Sequence, residues 1–256
     1  MTAIAVDPAT IWPGYAAKVG SVLDTGTISR ADLVRPIGEL ARRATPPLSV
    51  LPALTPVLPD GLRRGSTVSI SNSVSLLLAV LGGVAENGAW CALVGLPPIS
   101  AEAAQEYGVD LARLAIIPTP GTGWLTAVGA LLDAVEVVVV RPPDRVSDGE
   151  LRRLSARARS RDAVLMPYLN GRAHWPHADC ALELDSGRWD GLGAGHGRLR
   201  QRQVTVRASG RGSAGRPRST TCWLPAAGGG IGAMITPLTA AVSPITPPIG
   251  TDLRAG

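Results

Sequence analysis

The chain contains no phenylalanine and a single lysine, Lys18, among its 256 residues. Arginine, alanine, glycine and proline take the place of what is missing, a composition typical of a GC-rich coding sequence and without functional content of its own. Three cysteines, Cys91, Cys180 and Cys222, are few, odd in number and far apart, which excludes a disulfide framework and points to reduced thiols of a cytoplasmic protein. No apolar run reaches membrane-spanning length, the longest being "LLLAVLGGVA". The first residues, "MTAIAVDPAT", place an acid and a proline where a secretory signal needs basic and then apolar residues. A cytoplasmic protein is therefore expected. There is no GxSxG nucleophile motif, and nothing around Cys91 or Cys222 suggests an activated thiol; both read as buried strand residues.

A hydrophobic content of 45% is enough for a proper core, and the length fits one substantial domain with flexible ends. The net charge of +5 is ordinary for this length, so its distribution decides its meaning. Residues 1–62 form an N-terminal region. Within it "SRADLVRPIGELARRA" (29–44) has helical spacing, and Pro46, Pro47, Pro52, Pro56 and Pro59 mark an extended connection laid over a surface.

From residue 63 a repeating pattern begins. Strand-like "STVSIS", "AWCALVGL", "LARLAIIPT", "VEVVVVRP" and "AVLMPY" alternate with helix-like "SVSLLLAVLGGVA", "SAEAAQEYG", "TGWLTAVGALLDA" and "SDGELRRLSARARSR". The last helix opens with a capping box, Ser147 and Glu150. This alternation predicts an α/β fold, a mostly parallel sheet with helices on both faces. After Tyr168 the helices stop. "CALELDS", "GRLRQRQVTVRAS" and "STTCWLP" predict antiparallel strands added at the C-terminal edge, closing a core of 63–225. Residues 226–256 are rich in Gly and Pro and read as a flexible tail, with Ile231, Met234, Ile235, Leu238 and Ile245 as candidate partner-docking residues.

Three patterns bear on chemistry. The strand–turn–helix at "GSTVSISNSVSLLLAVL" (65–81) is the setting of a phosphate-binding loop, but the loop Ser71-Asn72-Ser73-Val74-Ser75 has neither glycine nor lysine. Ser71 or Ser73 is read as a helix cap ahead of any anion contact. "HWPHADC" spaces His174, His177 and Cys180 at intervals of three, yet offers only three soft ligands where a closed zinc site takes four; no metal is expected. "AGGGIG" (227–232) follows no parallel strand and reads as linker. The main charge concentration runs from Arg188 to Arg218, with Asp190 as its only acid. There Arg198, Arg200 and Arg202, with Arg207 and Arg211 further on, are candidate contacts for nucleic acid or an acidic partner. A solvated edge strand protected by its charges explains the same residues.

Over about residues 50–210 the chain resembles the RecA-type ATPase core. The resemblance rests on "LPDGLRRGSTVSIS", "GAWCALVGL", "YGVDLARLAIIPTPGTGWLTAVGALLDAVEVVVV" and "CALELDSGRWDGLGAGHGRLRQRQVTVRASGRG". More narrowly, "RWDGLGAGHGRLRQRQVTV" together with a core lacking its ATPase residues resembles the ImuA′ family, RecA-like accessory proteins of actinobacterial mutagenesis cassettes. Against the RecA pattern, the phosphate loop is degenerate at Ser71–Ser75, the Walker B acid is replaced by Arg141, and Pro97-Pro98 stand where a catalytic Glu belongs. Losing cradle, metal acid and base together removes most of the electrostatic stabilisation of phosphoryl transfer, so no ATPase activity and no cofactor are expected.

The ImuA′ resemblance implies a non-enzymatic adaptor in translesion synthesis during the SOS response. It would bind an ImuB-like Y-family polymerase homologue and, through it, an error-prone C-family polymerase and the sliding clamp, and would be nucleoid-associated when assembled. RecA cores associate by laying a neighbour's N-terminal segment on the core, which implies docking of such a segment from the partner or, in self-association, from residues 29–60 of another copy. The alternative is a repair protein that contacts single-stranded or damaged DNA through its Arg-rich strand.

Overall fold

The computed structural model describes residues 46–170, 175–185, 187–193, 196–211 and 216–234. The expected helix at 29–44, Lys18, His174, and the tail residues Ile235, Leu238 and Ile245 lie outside these.

The expected alternation is present. The elements are β1 (Val68–Ser71), α1 (Val74–Ala85), β2 (Cys91–Val94), α2 (Ala101–Glu106), β3 (Leu114–Ile117), α3 (Trp124–Ala134), β4 (Val137–Val140), α4 (Asp148–Ser160), β5 (Val164–Leu169), β6 (Cys180–Leu184), β7 (Arg188–Gly193), β8 (His196–Gly210), β9 (Arg218–Trp223) and β10 (Gly232–Ala233). They build one sheet in the order β10-β9-β8-β6-β1-β5-β4-β2-β3, with β7 paired to β8. From β3 to β6 every pairing is parallel; from β6 outward every pairing is antiparallel.

The valine run of β4 shows why the sheet is covered on both faces. Alternate side chains of a strand point to opposite sides. Val137 and Val139 enter one apolar cluster, Val138 and Val140 the other. The first cluster lies under α1, α2 and residues 46–62; the second lies under α3 and α4. The capping box of α4 forms as the sequence predicts, with Glu150 N–H donating to Ser147 Oγ and Ser147 N–H donating to Glu150. Asp133 ties α3 to α4 by accepting from Arg157 at 2.5 and 3.0 Å and from Arg161 at 3.0 Å. Arg157 above all holds the Asp133 carboxyl below the usual carboxylate range.

α1 is buried on all sides from Leu76 to Val84, as its all-apolar sequence demands. Residues 46–62 provide its outer cover, a larger role than that of an extended connection. Leu48, Leu54, Val57, Leu58 and Leu62 are buried, and Leu48 and Leu62 pair across an antiparallel bridge. The contact is close enough that a β-carbon on Gly83 of α1 would stand 2.6 Å from Leu51 N and Val50 Cα. At the other end, β10 carries the sheet past the expected boundary at 226, with Gly232 opposite Trp223 and Ala233 opposite Cys222. Among the described residues no helix is long and apolar enough to cross a membrane.

Candidate functional site

Ligands of open parallel sheets bind beyond the carboxyl ends of the strands. At that edge β1 passes into α1 through two residues, Asn72 and Ser73. Asn72 sits in the left-handed region at φ 51, which asparagine tolerates. Its N–H donates to Leu169 O at 3.1 Å. Ser73 is buried and caps α1, its Oγ accepting from Leu76 N at 3.1 Å. Ser75 is hydrogen-bonded to Tyr107, whose phenol is raised chiefly by burial, the Ser75 bond acting in the opposite sense. A phosphate cradle needs several free N–H groups on an open, glycine-lined loop. Here two of the nearest donors are spent within the chain, and Val74 packs on the core.

Beside it, Arg141 follows β4, its N–H donating to Val94 O at 2.9 Å. Burial raises the Tyr168 phenol of β5, and the nearby Arg141 charge partly offsets that rise. A permanent cation therefore faces this edge where the ATPase pattern places a magnesium-binding acid. Among the described residues no group of three or more His, Cys, Asp or Glu is arranged to hold a metal.

The five candidate arginines do not form one site. β8 is fifteen residues long. Its second half pairs with β6 and β9, where Val204, Val206 and Ala208 are buried. Its first half runs past the end of β6 and pairs with β7 as a two-stranded ribbon. Arg198, Arg200 and Arg202 are on the ribbon, at the same sheet edge as the β1–α1 turn. Arg207 is within the sheet, between Glu183 of β6 and Ser219 of β9, its guanidinium donating to Asp185 at 2.7 Å. Arg211 is past the opposite end, 2.8 Å from His177 Nδ1, roughly 40 Å from Arg198 along the extended chain.

The sequence reading missed β7. Its partner register sets Trp189 opposite Arg202, with the guanidinium carbon 5.9 Å from the indole centroid. The strand breaks register between Asp190 and Leu192, where Gly191 adopts φ 104. Glycines on either side of Trp189 admit the close approach of β8, its backbone oxygens at Arg198 and Gln203 as well as its arginine side chains. A β-carbon on Gly187 would stand 2.6 Å from Arg202 Nε, and one on Gly191 would stand 2.8 Å from Arg200 Cγ. The signal that would have revealed β7 is the Gly-x-Trp-x-Gly spacing, which a propensity reading discards as a turn.

Other expected positions resolve differently. Trp175, beside the "HWPHADC" histidines, is buried against α4, and its Nε1–H donates to Ser155 Oγ at 2.9 Å; it is a packing residue. Ile231 packs on the protein's own core, because β10 carries it there, so it is already occupied within the chain. Met234 is half-buried at the end of the described segment. Cys91, Cys180 and Cys222 are buried free thiols, pushed up by burial to about 12, 11 and 11 respectively, which removes them from nucleophilic chemistry.

Compared with solved structures, the chain superposes on the RadB recombinase with a TM-score of 0.53, covering 72% of this chain and 97% of RadB at 14% identity. That likeness concerns the fold alone, and it defines the class: a RecA-like α/β protein. A family model described as the MT3502 N-terminal domain matches residues 56–177. The protein Rv3395c of Mycobacterium tuberculosis H37Rv is 34% identical over 145 residues, which span 56% of this chain and 71% of that protein. The chain belongs to the family of this mycobacterial protein.

Proposed function

We propose that this protein is a non-catalytic RecA-like adaptor of the ImuA′ type, acting in DNA-damage-induced mutagenesis. One observation carries the non-catalytic part: a two-residue turn joins β1 to α1, with Ser73 closing the helix end on itself. Arg141 at the end of β4 supports it. The adaptor part leans on the resemblance of "RWDGLGAGHGRLRQRQVTV" to the ImuA′ family. The partner is an ImuB-like Y-family polymerase homologue, which brings in a C-family polymerase and the sliding clamp.

Two places suit docking. Among the described strands β3 is at one edge of the sheet, with Ile116 54% exposed, and a parallel edge strand can accept an added strand. Residues 235–256 supply the remaining apolar tail positions. Residues 46–60 are committed to the protein's own core, so a segment donated to another copy would have to come from 29–45.

The test is a calorimetric titration of the protein with ATP and magnesium, with turnover followed in parallel. No heat and no phosphate release are expected. Saturable binding at micromolar ATP would replace the adaptor with a nucleotide-switched platform. Co-purification with the ImuB-like partner should persist in an Asn72→Ala variant and be lost on deletion of 235–256 or on Ile116→Asp. Partner binding unaffected by both changes would move the docking surface elsewhere.

A further inference from the structure

The β7–β8 ribbon is the part of the molecule that core packing does not explain. From 196 to 201, β8 pairs with β7 alone, because β6 reaches only Val206, β9 only Gln203, and the residues after β9 only Arg202, whose N–H donates to Pro225 O at 2.9 Å and whose carbonyl accepts from Leu224 N–H at 2.7 Å. Such a ribbon buries little apolar surface. Ile116, Trp189, Leu192 and Leu199 are the exposed large apolar side chains among the described residues, and three of the four belong to the ribbon. Arg188, Arg198, Arg200 and Arg202 accompany them. Among the described residues no carboxylate pairs with these arginines. Asp190, the acid of the ribbon, is held by Gln201 Nε2 at 3.0 Å and by Gly191 N–H at 2.8 Å.

The chemistry is more specific than a basic edge. Trp189 is 41% exposed and has the Arg202 guanidinium near its ring. Arg202 Nε is buried with no partner, so that side chain is positioned by stacking and by the space over Gly187. Arg200 lies over Gly191, two residues beyond Trp189 on β7. An indole flanked by guanidinium groups joins a stacking surface to phosphate contacts.

We propose that the β7–β8 ribbon is a binding arm for single-stranded nucleic acid: Trp189 stacks on a base, Arg198 and Arg200 hold flanking phosphates, and Arg202 positions the indole. This goes beyond the adaptor reading and does not rest on it. A duplex hides its base faces from Trp189, and an acidic peptide would satisfy the arginines while leaving the indole unused. Single strands supply both a phosphate chain and free π faces. Arg207 and Arg211 are not part of the arm.

Fluorescence anisotropy of a labelled oligothymidylate with the full chain, repeated over a range of salt, tests this. Binding should weaken steeply as salt rises. Trp189→Ala should lose about tenfold in affinity. The pair Arg198→Ala and Arg200→Ala should flatten the logarithmic salt slope by about 1.4, for two phosphate contacts to a single strand. Arg207→Ala should bind as the parent does, and matching thermal midpoints will show that the variants are folded. Absence of salt-dependent binding in the parent, unchanged affinity in Trp189→Ala, or an equal loss in Arg207→Ala would each overturn the proposal. Equal competition by duplex would do so too. Ribbon variants that keep oligothymidylate binding but lose a protein partner would make the ribbon a protein-docking arm instead.

Discussion

The two halves of β8 obey different rules. In the inner half the alternation of buried Val204, Val206 and Ala208 is that of a strand packed on one face. In the outer half, five consecutive residues from His196 to Arg200 are exposed. The strand is continuous, so the difference lies in its neighbours: β6 and β9 beside the inner half, β7 alone beside the outer. The inner half and the parallel sheet carry the stability of the fold, while the ribbon is free to carry recognition.

This contrast sets the scale of several expected effects. Leu76 of α1 has no exposed surface, and Leu76→Ala should cost about 2–5 kcal/mol in urea unfolding. A similar loss from a ribbon substitution would break the comparison. The buried thiols give a pH signature on the core side only. Their folded values are raised from 9.0 to about 11 or 12. Their contribution is therefore complete below the unfolded value and declines as pH rises through the folded ones. Stability measured from pH 8 upward should fall above about pH 9, and Cys91→Ala should shrink that decline. Thiol labelling of the native protein at neutral pH should be negligible. Ser155→Ala leaves Trp175 Nε1–H buried without its acceptor and should cost about 1–3 kcal/mol. Ser147→Ala removes the α4 cap and should cost about 1 kcal/mol. At the bottom of the scale, Arg198→Ala and Arg200→Ala should each change stability by less than about 0.5 kcal/mol, sharpening the division between fold and arm.

The same division explains what could be read from the sequence. The valines of β4 and the apolar run of α1 are buried on every side, and burial leaves an unmistakable pattern. The Ser147 cap is local, so its signature is local as well. β7 was not legible: "RWDGLG" contains an Asp and two Gly residues, and it is a strand only because β8 lies beside it. Residues 46–62 looked like linker because prolines mask the spacing of Leu48, Leu54 and Leu62. The row of arginines from 198 to 211 suggested one surface, since sequence spacing does not reveal where a neighbouring strand stops. At the nucleotide position, the missing residues and a serine cap on the helix were legible, whereas the left-handed Asn72 and its bond to Leu169 O were not, because Leu169 is distant in sequence.

The placement of β1 between β5 and β6 has a consequence for the order in which the chain is made. Thr67, just before β1, is bonded to Asp179 across a sequence separation of 112 residues. Neither lateral neighbour of β1 exists until β5 and β6 have been synthesised. Until then α1, apolar on every side, has residues 46–62 and the segment around Tyr107 against it but lacks the central strands of the sheet it packs on. Non-local pairing of this kind raises contact order and slows folding, and transiently exposed apolar surface invites aggregation. Chains truncated before Cys180 should accumulate as insoluble or chaperone-bound material, so the central strand of the finished protein is among the last parts to be secured.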